Sequence, residues 1–208
     1  MKNNFNNNSN DSIPYGGANE KMLSNYIDSV TKISEESRIS LLNCFKTETY
    51  PKKHLLVKQG QTVYKLYFII KGVAREFSLI DGKEVTNWIT CENEFVTSFG
   101  SFISGKPSFQ SIDLIEDSIL LSISRKDLYS QYERFPDLER FARLVVEKYY
   151  CWLEELYLFQ KYNSAKEKYD ALLEFNPEFI NRFPLHYIAS LLGVSLETVS
   201  RIRAGKPY

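Results

Sequence analysis

The stretch that decides the fold of the C-terminal part of the chain is Leu185-His-Tyr-Ile-Ala-Ser-Leu-Leu-Gly-Val-Ser-Leu-Glu-Thr-Val-Ser-Arg-Ile-Arg203. Its apolar residues recur at helical spacing in two short runs, which Gly193 separates. Glycine tolerates the positive φ of a sharp turn, and Ser195 can cap a new helix by accepting an orphan amide. The pattern predicts a helix-turn-helix whose second helix enters the DNA major groove. The alternative is an ordinary helical hairpin in an all-α core, which Arg201 and Arg203 at the end of the second helix disfavour.

Composition limits what kind of protein this is. The 208 residues are 43% hydrophobic, which is enough for one large or two small domains with real cores. The formal net charge is +0, so no global positive field attracts nucleic acid. Any DNA affinity must come from a local patch, and the patch near the C-terminus is small. Dimerisation would double its phosphate contacts.

The sequence lacks the marks of a membrane or secreted protein. It has no run of eighteen apolar residues, and its Asn-rich start has no apolar signal-peptide core. Cys44, Cys91 and Cys151 are scattered, which favours a reducing cytosol over a disulfide framework. Three thiols also fall short of the four that an iron–sulfur cluster takes. We therefore expect a cytoplasmic protein with no membrane contact and no cofactor.

The order of elements predicts an α+β fold. Residues 1–18 should be a disordered tail, and two helices are expected around 20–30 and 35–44. From His54 to Ile123 the chain has the texture of short strands, and Asp81-Gly82 between two of them is a strong hairpin signal. This part predicts an N-terminal antiparallel β-roll, or jelly roll. The predicted units are a β-roll domain at 19–135, a long helix at 136–161 and a helix-turn-helix domain at 162–208.

The long helix carries two apolar stripes. The first stripe follows a heptad seam: Leu138, Ala142, Val145, Tyr149, Trp152, Leu156 and Phe159. The second stripe lies beside it: Val146, Tyr150, Leu153 and Tyr157. A helix with two apolar stripes needs two partners, and the natural pair is its own β-roll and the same helix of a second subunit. We assign the first stripe to a homodimer interface; a single buried helix in a larger monomeric core is the alternative.

These pieces together resemble the CRP/FNR family of bacterial transcription regulators, in a divergent form of the Bacteroidetes type. Three strings carry the resemblance: Leu66-Tyr-Phe-Ile-Ile-Lys-Gly-Val-Ala-Arg75, Glu94-Phe-Val-Thr-Ser-Phe-Gly100 and Leu191-Leu-Gly-Val-Ser-Leu-Glu-Thr-Val-Ser-Arg201. They look like the family's strand–Gly–strand signature, its effector-pocket segment and its DNA-binding motif. The resemblance implies a cyclic-nucleotide-binding-like effector domain. It also implies double-stranded DNA with a pseudo-palindromic site, a second copy of the chain and RNA polymerase as partners.

The effector pocket departs from the cyclic-nucleotide-binding pattern. The positions of the family's ribose-binding Glu and phosphate-binding Arg are Ser98 and Ser108 here. A buried phosphate needs a fixed cation, and Lys106 between them falls in a probable turn. We therefore expect a degenerate pocket that does not bind cyclic AMP, and we assign it Ser98, Phe99, Gly100, Ser108 and Phe109. Its aromatic residues either fill the barrel or receive an unknown, more apolar effector.

The resemblance also suggests how the second helix reads DNA. The family's Arg-Glu pair and following Arg fall on Leu196, Glu197 and Arg201, so the first arginine is lost. Arg201 can reach guanine bidentately, Glu197 can accept from cytosine, and Leu196 can touch a thymine methyl. The remaining polar residues are assigned to phosphates or to the cap. The predicted DNA-binding set is Ser195, Leu196, Glu197, Thr198, Ser200, Arg201, Arg203 and Lys206.

Two other functions compete with DNA-binding regulation. One is an effector-binding or structural β-roll whose DNA-binding domain has decayed. The other is a cupin-type enzyme, whose metal site needs several converging His and carboxylate ligands. The chain has only His54 and His186, which fall in different predicted domains. We therefore expect no enzyme activity; the operator, the target genes, the effector and the direction of regulation stay open.

Overall fold

The computed structural model describes residues 17–175 and 182–205, and within these it contains eight helices and eight strands. The helices are α1 (Ala18–Val30), α2 (Glu35–Cys44), α3 (Phe99–Ser104), α4 (Arg125–Arg134), α5 (Pro136–Tyr162), α6 (Ala165–Phe175), α7 (Leu185–Leu192) and α8 (Leu196–Arg203). The strands are β1 (Lys46–Tyr50), β2 (Leu55–Val57), β3 (Lys65–Lys71), β4 (Ala74–Ile80), β5 (Lys83–Thr90), β6 (Phe95–Val96), β7 (Ser111–Leu114) and β8 (Ser118–Ser124). The predicted disordered tail lies outside the described residues except for Gly17 and Ala18, and Ala18 already begins α1.

The strands form the predicted antiparallel β-roll. One sheet has the order β1-β8-β3-β6 and the other β2-β7-β4-β5, and each neighbouring pair is antiparallel. The hairpin signal between β4 and β5 is confirmed, because Ile80 pairs with Lys83 across the turn. Asp81 and Gly82 both adopt positive φ there, at 51° and 76°, which matches the right-handed twist of the two strands.

Gly72 fixes the tight connection between β3 and β4. Its φ is +110°, and a Cβ at this position would lie 2.0 Å from the Ser118 Oγ. Any side chain here would therefore push β8 away from the turn. The glycine of the strand–Gly–strand string that carries the family resemblance is therefore required by the close packing of this turn against β8.

Two apolar clusters decide how the helices sit on the β-roll. The first packs α1, α2, α4 and the N-terminal half of α5 on the sheet that contains β3, with Leu23 and Phe68 fully buried. The second packs the C-terminal helices against the other sheet, where Ile188 meets Val73 and Ile89. The C-terminal helices therefore share a core with the β-roll instead of forming a separate one.

Several predicted elements differ from the observed ones. Within the stretch predicted as short strands, β6 ends at Val96 and the pocket segment continues as the helix α3. Neither α4 nor β1 was predicted as a separate element, although the change to helix after Ser124 was. Helices α1, α2 and α5 match the predicted ranges closely. In the described part of the chain, no helix is both long and apolar enough to cross a membrane.

Candidate nucleic-acid interface and effector cavity

The turn between α7 and α8 is built as the sequence predicts. Gly193 has φ 69° and ψ 31°, and its N–H donates to the Ser190 carbonyl at 3.1 Å. The next amide, that of Val194, donates to the Ala189 carbonyl at 3.0 Å. Ser195 then caps α8, because its Oγ accepts from the Thr198 N–H at 3.1 Å. The turn is therefore held by three hydrogen bonds, and the left-handed glycine lets the chain reverse there.

The facing sides of α7 and α8 are apolar and buried. The residues predicted for these faces are at most 9% exposed, and they join Tyr169 and Phe183 in one cluster: Ile188, Ala189, Leu192, Val199 and Ile202. Ala189 is small, so the two helices can approach closely. This packing fixes which side of α8 faces outward.

The outward side of α8 is polar, basic and exposed. Leu196 is 50% exposed, and Ser195, Glu197, Ser200, Arg201 and Arg203 are exposed beside it, whereas Thr198 is half-buried. The Arg201 guanidinium pairs with the Glu197 carboxylate one turn earlier, at 2.5 Å. Such an exposed pair contributes little to stability, so it leaves Arg201 available to another acceptor. Lys206, also assigned to DNA, lies outside the described residues.

Helix α7 is docked on the sheet formed by β2, β7, β4 and β5. The Thr86 N–H of β5 donates to the Ser190 Oγ of α7 at 2.8 Å. Arg75 of β4 is buried, and its guanidinium lies 4.1 Å from the centroid of the Tyr187 ring of α7. Asp113 binds Arg75 bidentately at 3.0 and 2.8 Å, so the buried cation has a fixed counter-charge.

An ion-pair cluster adds a second connection between the β-roll and the C-terminal helices. Arg182 donates to both Glu92 oxygens at 3.0 and 2.8 Å and also pairs with Glu116. Burial opposes ionisation of Glu92, but Arg182 and the Gly72 N–H outweigh it and hold the pKa of Glu92 below its ordinary value. The two connections fix α7 and α8 against the β-roll in this structure.

The two serines of the predicted effector pocket come together. The Ser98 and Ser108 hydroxyls lie 2.8 Å apart, and both side chains are buried. The Ser108 Oγ is also 2.6 Å from the Gln110 carbonyl oxygen. Lys106 is exposed, as its turn position predicts. The two positions that the sequence comparison assigns to ribose and phosphate binding therefore hold neutral hydroxyls that contact each other.

Beside this pair lies a cavity of about 370 Å³, here called the β-roll cavity. Ser98, Phe99 and Gly100 line it, whereas Ser108 contacts Ser98 without lining the cavity. Phe109 lies among the lining residues with 87% of its surface exposed, so of the two alternatives for the aromatic residues it does not fill the barrel. Phe102 in the same segment lies in the core.

Glu76 is the cavity residue that sequence reasoning missed. It lies on β4 with its carboxylate in the β-roll cavity, where Gln110 Nε2 and Thr90 hydrogen-bond to it. Burial raises the pKa of Glu76 to about 7 despite these hydrogen bonds. The signal was present, because alternation along a strand sends one of the adjacent Arg75 and Glu76 inward.

The first stripe of α5 mostly covers the chain's own β-roll. Leu138 is fully buried and Val145 is 7% exposed, so these two cannot also face a second subunit, and their assignment to a dimer interface is wrong. Tyr149 donates to the Phe95 carbonyl at 3.2 Å, and Trp152 packs on Trp88 with ring centroids 4.2 Å apart. The remaining members of the stripe are half-buried: Ala142, Leu156 and Phe159.

The second stripe of α5 is the face left open. Val146, Tyr150, Leu153 and Tyr157 are 50–66% exposed, although all four are apolar or aromatic. Their spacing of four, three and four residues is that of a coiled-coil seam.

Among the described residues, no three His, Cys, Asp or Glu side chains come close enough together to hold a metal ion.

Residues 47–135 match the family model of the cyclic nucleotide-binding domain. Among solved structures, FixK2 from Bradyrhizobium japonicum is similar with a TM-score of 0.66 and 18% identity, over 77% of this chain and 83% of that one. The c-di-GMP responsive global regulator CLP from Xanthomonas campestris gives 0.65 and 17%, over 83% and 91%. The Thermus thermophilus catabolite activator protein gives 0.53 and 23%, over 83% of each chain. No curated protein sequence matches the chain.

Proposed function

We propose that this chain, whose residues 47–135 match the model of the cyclic nucleotide-binding domain and whose sequence resembles the CRP/FNR regulators, is a sequence-specific DNA-binding transcription regulator that acts as a homodimer. The observation that carries the proposal is the outward side of α8. It exposes Arg201 and Arg203 on a helix whose opposite side is locked into a core. A helix that only closed a core would have no use for two exposed arginines at its C-terminal end.

In this proposal α8 lies in the major groove. Arg201 leaves Glu197 and donates bidentately to a guanine, while Leu196 contacts a thymine methyl. Glu197 then either accepts from a cytosine amino group or supports the helix N-terminus. Ser195 caps α8, and the polar residues around it bind phosphates: Thr198, Ser200, Arg203 and Lys206.

The dimer forms through the second stripe of α5. An exposed apolar stripe with heptad spacing is most simply covered by the same stripe of a second copy. The chain is electrically neutral overall, so one recognition helix with two arginines gives few phosphate contacts. A second copy doubles them, and a two-fold dimer then reads a pseudo-palindrome.

The β-roll cavity serves as the effector site, and its lining argues against cyclic nucleotides. Its described lining residues include no Lys, Arg or His. A cyclic phosphate brought into this cavity would lose its hydration without gaining a fixed cation. RNA polymerase is the further partner that a regulator of this architecture would contact.

Substitution of the two arginines tests the proposal. Arg201→Ala should weaken binding to a selected site by about 1–3 kcal/mol and relax sequence preference at one position per half-site. Arg203→Ala should weaken all sequences alike and flatten the salt dependence. Arg140→Ala removes the same charge from an exposed position of α5 and is the matched control.

Mobility shift over a salt series measures both effects. Unchanged affinity and preference in Arg201→Ala would contradict the assignment of α8. A wild-type protein with no preferred sequence would favour the β-roll with a decayed DNA-binding domain.

A further inference from the structure

The β-roll cavity holds a half-buried acidic side chain, Glu76, and its described lining contains no basic side chain. Glu76 forms no ion pair with any basic side chain in the described parts of the chain. Gln110 and Thr90 supply two hydrogen bonds to it. A carboxylate offers about four acceptor positions, so two stay free for a ligand. Such a site repels an anion and attracts a group that carries positive charge and N–H donors.

The aromatic walls of the cavity favour the same kind of group. Trp88 is the cross-strand partner of Glu76 between β4 and β5, so the two side chains share a face of the sheet. Trp152 packs edge-on against Trp88, and Phe99 lies 5.4 Å from Tyr149, between ring centroids. The faces of aromatic rings attract cations through their quadrupole, and tryptophan does so best. Acid and aromatic rings together form a site suited to an organic cation.

We propose that the β-roll cavity binds a small organic cation, an ammonium or amidinium compound with an aromatic body, whose N–H groups donate to the Glu76 carboxylate. The inference rests on the proposed role of the cavity as the effector site and names the chemistry of its ligand. The volume of about 370 Å³ suits a small molecule of this type. The cationic ligand supplies a counter-charge for Glu76, so binding offsets the cost of an ionised carboxylate without an ion-pair partner.

The acid also makes binding depend on pH. Burial raises the pKa of Glu76 to about 7, and a bound cation favours the ionised form. Affinity for the cation should therefore increase as pH rises from 6 to 8. Tyr149 of α5 also interacts with Glu76, and burial raises the pKa of Tyr149, so it stays neutral in this pH range. Gln110, which precedes β7, and Thr90 of β5 carry no charge.

Calorimetric titration of the full chain with matched probes tests the proposal. The cations are tryptamine, phenethylamine and benzamidine, and their anionic counterparts are indole-3-propionate, 3-phenylpropionate and benzoate. At pH 8 at least one cation should bind, and its counterpart should bind at least roughly tenfold more weakly. Glu76→Gln keeps the shape and an acceptor for Gln110, and it should lower affinity for that cation by a similar factor.

Two controls keep the result interpretable. Glu133→Gln removes an exposed carboxylate of α4 and should leave the titration unchanged. A thermal melt of Glu76→Gln at pH 8 shows whether the variant is folded. The proposal is overturned if no cation binds at millimolar concentration, if the anions bind equally well, or if folded Glu76→Gln binds the cation like the wild type. The titration contains no DNA, so its failure would leave the DNA-binding proposal standing, and a failed DNA selection would leave this site standing.

Discussion

The β-roll cavity and the outward side of α8 place charge in opposite ways. The cavity holds a half-buried acid, Glu76, whereas α8 exposes two bases, Arg201 and Arg203. An exposed base costs little in water and is free to meet phosphates. A buried acid costs free energy unless a partner neutralises it. The two regions are therefore suited to ligands of opposite charge: the β-roll cavity to a small cation, and the outward side of α8 to a polyanion.

Strand β4 contacts both the cavity and helix α7, which packs against α8. Arg75 and Glu76 are neighbours on β4, and alternation sends Arg75 to Tyr187 of α7 and Glu76 into the cavity.

Breaking the dimer at Tyr150, which does not line the β-roll cavity, should weaken DNA binding by α8. Tyr150 is 66% exposed, so Tyr150→Glu leaves the folded monomer intact but places a charge in the proposed interface. Sedimentation should then show monomers, and affinity for a selected site should fall by roughly 100-fold or more, because two half-sites no longer bind together. Glu154→Gln, an exposed neighbour outside the second stripe, is the control. A wild type that is already monomeric at micromolar concentration would contradict the interface.

Cyclic nucleotides should distinguish this cavity from one built for phosphate. The Ser98–Ser108 pair offers no cation, so affinity for cyclic AMP and cyclic GMP should be about two orders of magnitude below that of a site with a fixed arginine. Calorimetric titration with each nucleotide measures this. A micromolar dissociation constant for either one would show that the cavity accepts anions after all.

The buried acid should make stability depend on pH. The folded-state pKa of Glu76, about 7, is above the value of an unfolded chain, so stability is full below the unfolded pKa and decreases as pH rises through about 7. Glu76→Gln should therefore raise the melting temperature at pH 8 by a few degrees, corresponding to at most ~3 kcal/mol, and change it little near pH 4. The test is thermal unfolding at both pH values beside Glu133→Gln. An equal change at both would contradict the raised pKa, because it would mean that Glu76 has the same pKa in the folded and the unfolded chain.

Local patterns predicted most of the fold because each had a local cause. The turn at Gly193 and the hairpin at Asp81-Gly82 need positive φ, which few residues tolerate. The Ser34 and Ser195 caps are also local. The short helix α3 was missed because its six residues, Phe99–Ser104, have no helical repeat to detect and sit between strands.

The sites were harder to predict because they depend on which partner a face meets. The two stripes of α5 look alike in sequence, and only the positions of Trp88 and Phe95 decide that the first stripe packs inward. Glu76 looks like an ordinary strand residue until the register of β4 shows that Arg75 points the other way. Periodicity finds an apolar face or an alternation, but the assignment of that face needs the tertiary structure.

The central claim is that this chain binds DNA as a two-fold dimer and that α8 of each subunit reads the bases. Selection of bound DNA from a random pool tests this claim most directly. The account predicts enrichment of a pseudo-palindrome whose half-sites lie about one helical turn apart. In a parallel selection, Arg201→Ala should lose the preference at one position in each half-site. A pool that shows no enriched sequence, or an enriched sequence that Arg201→Ala selects unchanged, would contradict it.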